Sequence, residues 1–94
     1  MKKFINKKGF KIIELSLSEI RLVGGFGLCD TCNSLAANGY LIPVLGTYWM
    51  CPKCYEEWNK HSKLEEEDKE YEEQNYQRWL EILKENGVKD EQGA

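Results

Sequence analysis

The chain is poor in histidine and proline, with one of the first and two of the second in 94 residues. A single histidine, His61, on a polar stretch, gives little support to acid–base catalysis or to a histidine-built metal site. Long apolar runs are also missing. Nothing approaches the roughly 20 residues of a membrane span, and Met1-Lys-Lys-Phe-Ile-Asn-Lys-Lys-Gly9 is followed by no apolar stretch of signal-peptide length. The expectation is a soluble protein in the cytoplasm, where thiols stay reduced. There is no internal repeat, linker or low-complexity tract beyond the acidic run Glu65–Glu73. A domain this short buries a modest core and often needs a staple.

Cysteine supplies the staple. All four cysteines fall in two pairs, Cys29-Asp-Thr-Cys32 and Cys51-Pro-Lys-Cys54, separated by eighteen residues. Two residues between cysteines let both sulfurs point at one centre, and two such pairs make the ligand set Cys29, Cys32, Cys51 and Cys54 for one structural Zn2+. Thiolates are soft ligands, and d¹⁰ zinc accepts the tetrahedron without redox chemistry. Two disulfides also fit an even cysteine count, but they belong to a secreted context that the N-terminus does not indicate. A thioredoxin-like redox site needs only one pair, in a strand–helix setting. Were one cysteine not a ligand, His61 would be the substitute. Four thiolates leave zinc no open position for water, so the sequence reads as no enzyme.

Charge is divided unevenly. Residues 1–54 carry seven Lys/Arg and three Asp/Glu, whereas residues 55–94 carry six and thirteen. The halves face different partners, or each other. Lys2, Lys3, Lys7, Lys8, Lys11, Arg21 and Lys53 are the candidates for a nucleic-acid contact, though spread thinly over fifty-four residues. Glu65, Glu66, Glu67 and Glu70 are the opposite candidate, a dense acidic helix able to occupy a basic channel by imitating phosphates.

In chain order, Phe4–Asn6 and Phe10–Leu15 read as strands around a turn at Gly9. Ser16 with Glu19 forms a capping-box signature for a short helix whose apolar face is Ile20, Leu22 and Val23, and Gly24-Gly25 stops it. Asn33 suits a left-handed position after the first cysteine pair. Asn38-Gly39 reads as a turn, and Tyr40–Val44 with Thr47–Met50 as a hairpin between the pairs, Pro43 marking an edge strand or a bulge. Pro52 fits the first position of a helix with Glu56 and Glu57 as acids in its first turn, so that Cys51 and Cys54 sit at its positive end. Trp49 and Trp58 flank the cysteine pairs and are expected to cover the metal. Ser62 with Glu65 repeats the capping signature, predicting a break near His61 and a helix over 63–86 closed by Asn86-Gly87; one unbroken helix from Pro52 to Asn86 is the alternative. Tyr76, Trp79, Leu80 and Leu83 follow helical spacing, extended by Leu64 and Tyr71. That stripe folds onto the N-terminal hairpin or waits for a partner or a second copy.

A knuckle, a hairpin and a helix carrying the second pair in its first turn resemble a treble-clef zinc finger over about Leu28 to Lys60. The cysteine spacing is similar to that of GATA-type fingers and of the second half of LIM domains, and the whole resembles the small four-cysteine zinc proteins that phages and mobile elements encode. The resemblance implies a small α+β zinc-bound domain with the finger over 28–61; around it the residues themselves read as an N-terminal strand and helix over 1–27, an acidic amphipathic helix over 62–87 and a disordered tail over 88–94. In GATA-type fingers the helix and the tail after it are basic; here the helix reads Tyr55-Glu-Glu-Trp58 and the tail is acidic, which disfavours nucleic acid. LIM-like fingers bind proteins through apolar and hairpin-edge surfaces, for which Tyr40, Ile42, Tyr48 and Trp49 are the matching candidates. The expected function is a non-catalytic protein-interaction module, an adaptor or a phage-type inhibitor of a host nucleic-acid-handling or defence complex acting through its acidic helix; the alternative is a nucleic-acid-binding zinc finger or transcriptional regulator using the basic N-terminal half. Its partner-binding residues would be Tyr40, Ile42, Tyr48, Glu65, Glu66, Glu67, Glu70, Tyr76, Trp79 and Leu83, with a homodimer through the C-terminal helix as a further expectation.

Overall fold

The computed structural model describes residues 1–91. Four antiparallel strands, β1 (Lys2–Ile5), β2 (Lys11–Ser16), β3 (Asn38–Leu41) and β4 (Trp49–Met50), form one sheet in sequence order. Period-two alternation splits β2: Ile13 and Leu15 face one side, Phe10 and Ile12 the other, and all four are buried. On the first side they meet Met1, Ile20, Leu41, Trp49, Leu83 and Val88; on the second, Ile42, Met50 and Cys29. Helices α1 (Leu17–Leu22) and α3 (Lys69–Glu85) contribute to the first core and α2 (Pro52–His61) to the second. The sheet is therefore covered on both faces.

The β1–β2 turn is built by Asn6, whose Oδ1 accepts from the backbone N–H groups of Lys8 and Phe10, and by Gly9 at φ 91°. The capping box of α1 forms as expected: Ser16 Oγ accepts from Glu19 N–H, and the Glu19 carboxylate accepts from Ser16 N–H. Gly24 N–H to Arg21 C=O and Gly25 N–H to Ile20 C=O close the helix. Of its expected apolar face, Ile20 is buried but Leu22 is 54% exposed.

Several expectations give way to longer-range contacts. Gly39 lies within β3, paired with Leu15, because the Trp49 indole occupies the space a side chain there would need; a Cβ would stand 2.5 Å from Trp49 Cε2. Pro43 sits on no edge strand, since β3 runs between β2 and β4. It leaves the ladder instead and opens a 3-10 turn over Pro43–Leu45. Register pairs Ile13 with Leu41, so one further bonded pair would set Lys11 opposite Pro43. Both groups stranded by that departure are taken up by α3: Lys11 N–H donates to Glu72, and Asn75 Nδ2 donates to the Pro43 carbonyl. Glu72 and Asn75 are buried for this reason. Trp79 Nε1 adds a bond to the Gly46 carbonyl.

Helix α3 begins at Lys69, not near residue 63. Ser62 ends α2, its Oγ donating to the Trp58 carbonyl, and Glu66–Asp68 form a 3-10 turn, so neither a Ser62 capping box nor one continuous helix is present. Residues 88–91 are docked and not a frayed tail: Val88 is buried, Glu91 N–H donates to the Met1 carbonyl, and Asp90 pairs with Lys3. Residues 92–94 of that expected tail lie outside the described residues.

Helix α2 is held by aromatic packing and by the β1–β2 turn. Tyr55 stacks on Tyr40 with ring centroids 4.4 Å apart, and Trp58 lies 4.7 Å from Phe10. Asn6 Nδ2 donates to Tyr55 OH and to Asn59 Oδ1. The Lys8 ammonium donates to the carbonyls of Asn59, Lys60 and Ser62, a cation set on the carbonyls at the negative end of the helix. Replacing Lys8 by Met should cost the metal-loaded protein about 1 kcal/mol, seen as a melting temperature lower by roughly 5 °C. An unchanged melt would show that the lysine does not hold α2.

Candidate metal centre

The first cysteine pair lies in a tight knuckle. Leu28 and Leu35 bridge across its base, Cys29 N–H donates to the Ser34 carbonyl, and Asn33 N–H donates to the Cys29 carbonyl. Asn33 takes φ 60°, the left-handed position its side-chain chemistry tolerates. This turn lets Thr31 N–H point at Cys29 Sγ, 3.4 Å away. The second pair follows β4 directly. Cys51 is the N-cap residue of α2, Pro52 stands where no N–H is required, and Cys54 lies in the first turn. No acid stands in that turn, because Glu56 and Glu57 come after it.

Two elements far apart in sequence are locked together by Asp30. Its carboxylate accepts from Trp49 N–H and its own N–H donates to the Trp49 carbonyl. Asp30 thus joins the knuckle to β4 and closes the outer edge of that strand at Trp49.

The four Sγ atoms all lie within 4.8 Å of one another, Cys32 and Cys51 at 3.9 Å. A tetrahedral metal–thiolate site with bonds of about 2.3 Å has edges of about 3.8 Å, whereas a disulfide requires about 2.05 Å. The cysteines are free thiols, and their spacing fits a metal ion rather than two bridges. Thiol ionisation is uneven across the cluster. The Cys32 thiol is lowered to about 6 by the Ser34 hydroxyl and N–H, with help from Cys54. For Cys29, burial pushes upward but is outweighed by backbone N–H groups of Cys32, Cys51 and Thr31, so the net direction is down. Cys54 is pushed up to about 12 by desolvation and by its hydrogen bonds with Cys32 and Cys51. Protein groups alone stabilise part of the negative charge and leave one sulfur resisting it. A central divalent cation removes that resistance. Cys29, Cys32, Cys51 and Cys54 would hold such an ion, which would tie knuckle, β4 and α2 into one unit.

Around the sulfurs the expectations divide. Trp58 packs in the same core as Cys29, Cys51 and Cys54. Trp49 does not cover the site; its indole lies on the opposite face of the sheet against Gly39, donating to the Leu15 carbonyl. His61 stands with Glu57, exposed, and the four cysteines complete the cluster without it. Asp30 and Ser34 carry the supporting bonds, and their only sequence signal is a small polar residue inside and just after a cysteine pair.

The other candidates are scattered. Ile42 and Leu83 are fully buried, so neither offers a docking surface, and Tyr40 is half-buried and engaged by Phe4 and Tyr55. Tyr76 and Trp79 are half-buried against the first core, so the stripe folds onto the sheet. Tyr48 is exposed. Glu65, Glu66, Glu67 and Glu70 are exposed, Glu66 pairing with Lys69. The two charge halves meet each other: Lys11 pairs with Glu73 and lies over the Tyr76 ring, Lys3 pairs with Asp90, and Lys8 caps α2. No helix among the described residues is long and apolar enough to cross a membrane. No family model, curated protein or solved structure matches the chain.

Proposed function

We propose that this chain is a zinc-stabilised, non-catalytic protein-interaction module that presents an acidic ridge to a basic surface on a partner protein. Zinc is the ion that suits four soft sulfurs in a closed tetrahedron with no substrate position. The order of knuckle, β3–β4 hairpin and cysteine-bearing helix supports a treble-clef arrangement around it.

One observation carries the ridge. Leu64 packs into the second core and Glu72 is buried against β2, so the chain is pinned on both sides of residues 65–70. That segment, Glu-Glu-Glu-Asp-Lys-Glu, holds five acids and one lysine and is mostly exposed between its two anchors. A fixed, dense negative surface steers and binds a positive one, and salt weakens the contact. Engagement of Lys3, Lys8 and Lys11 within the fold speaks against the converse reading, nucleic acid on the basic half.

Fluorescence anisotropy with a labelled arginine- and lysine-rich peptide, and with duplex DNA of similar length, tests the reading. The peptide should bind and the DNA should not, with peptide affinity falling about tenfold or more as salt rises from about 50 to 500 mM. Changing Glu65, Glu66, Glu67 and Glu70 together to Gln should remove at least about tenfold of the affinity and leave the melting temperature nearly unaltered. Tighter binding to DNA, or peptide binding indifferent to the four glutamines, would overturn the assignment.

A further inference from the structure

The four sulfurs of the cluster differ in their access to solvent. Cys29 has no exposed surface, Cys51 and Cys54 are half-buried, and Cys32 is exposed. A cysteine that ligates a metal is held as the thiolate, the nucleophilic form, and one that faces water is reached by a small oxidant without any opening of the fold.

The chain also holds the four with unequal firmness. Cys29 is pinned on every side: its N–H donates to the Ser34 carbonyl, its carbonyl accepts Asn33 N–H, and its sulfur accepts Thr31 N–H. Cys54 lies within α2, where the helix fixes the direction of its Cβ. Cys51 precedes the helical residues, with φ −64° and ψ 161°, between the end of β4 and the start of α2. Its Sγ stands 3.9 Å from that of Cys32, so the approach to a disulfide bond length is about 2 Å. A bridge from Cys32 to Cys29 would instead pull a buried side chain away from Phe10, Ile12, Ile42 and Met50.

We propose that the metal centre is an oxidant-sensitive switch, in which hydrogen peroxide joins Cys32 to Cys51 and the ion is released. The Cys32 thiolate attacks one peroxide oxygen, the O–O bond breaks, hydroxide leaves and Cys32 becomes a sulfenic acid. The Cys51 thiolate then attacks that sulfur, the S–O bond breaks, and a second hydroxide leaves as the S–S bond forms. One peroxide accepts two electrons, one from each of two thiolates. Cys29 and Cys54 are left as the only ligands, too few for a closed site. The switch rests on the structural-zinc reading and adds regulation to it. Leu64, one anchor of the acidic ridge, packs in the same core as Cys29, Cys51 and Cys54, so loss of the ion loosens the ridge and links partner binding to oxidant.

The zinc-loaded full chain is treated with an equimolar amount of hydrogen peroxide beside a chromogenic zinc chelator too weak to strip the untreated protein. Remaining thiols are alkylated with iodoacetamide in denaturant and located by non-reducing chymotryptic digestion and tandem mass spectrometry. The expected result is release of about one zinc per chain, alkylation of Cys29 and Cys54, and recovery of Cys32 and Cys51 as a cross-linked pair of peptides. Dithiothreitol with added zinc should restore the parent circular dichroism spectrum. Zinc retained through an about tenfold excess of peroxide would overturn the switch. So would release with a Cys29–Cys32 bridge, with mixed pairings or with irreversible sulfinic acid, each of which leaves structural zinc standing. A chain that holds no zinc before peroxide is added would remove the switch and the zinc reading together.

Discussion

A chain carrying Cys29→Ser is expected to emerge from zinc-replete expression without metal and without a cooperative fold. Cys29 is the fully buried ligand, accepts Thr31 N–H at its sulfur, and belongs to the same core as Phe10, Ile12, Ile42 and Met50. Serine there keeps a similar volume but supplies a hard, protonated oxygen to a site that needs a soft thiolate. The loss is large against the stability available. Structural zinc contributes on the order of 10 kcal/mol of apparent binding free energy in small fingers, while whole domains have about 5–15 kcal/mol in total. Native mass spectrometry for zinc per chain, with a circular dichroism melt, reads both halves of the expectation. Chelation of the parent protein should reproduce the unfolded spectrum, and acid should do so reversibly, because protons compete with the ion for sulfur. A soluble, metal-free Cys29→Ser protein that melts cooperatively would remove the structural-metal reading altogether.

What the sequence made legible is what short spacing decides. Two cysteines two residues apart, Asn33 in a left-handed turn, the Ser16–Glu19 box and Pro52 at the head of α2 each involve groups within a few residues of one another, so a chemical rule applies before any tertiary contact exists. Errors arise where a competing contact, most often from a distant group, decides. Gly39 carries the local mark of a turn, yet it is a strand residue because Trp49 must lie over it. Ser62 and Glu65 carry the mark of a helix start, yet Ser62 is spent on the Trp58 carbonyl and the helix waits for Lys69. Lys8 and Lys11 look like free cations in a basic half until α2 and α3 fold against them.

The apolar stripe of α3 shows the same limit. Helical spacing marks Tyr76, Trp79, Leu80 and Leu83 as one face, but periodicity cannot say what covers it. The answer lies in Pro43, whose exit from the ladder strands one N–H and one carbonyl that Glu72 and Asn75 then satisfy. Those buried polar bonds set the height of α3 on the sheet and turn the stripe inward. The surfaces left exposed include the acidic run and the knuckle loop, and the knuckle loop has no periodic signal to find.

Leu83→Ala is expected to lower stability by about 3 kcal/mol, within the 2–5 kcal/mol range for leucine truncation in a core. Leu83 is fully buried in the cluster that holds Met1, Ile13, Leu15 and Leu41, and its carbonyl accepts the N–H of Val88, which is buried in the same cluster. The cavity would therefore loosen α3 and the docked residues 88–91 together. For a domain of this size the melting temperature should fall by roughly 15 °C. Because this core lies on the face of the sheet opposite the sulfurs, metal stoichiometry at 25 °C should be unchanged, which separates the effect from that of Cys29→Ser. Hydrogen exchange should quicken first along α3. Were Leu83 instead part of a surface for a partner, truncation would leave the melt of the isolated chain within about 2 °C of the parent, and that outcome would mean that α3 does not rest on the sheet.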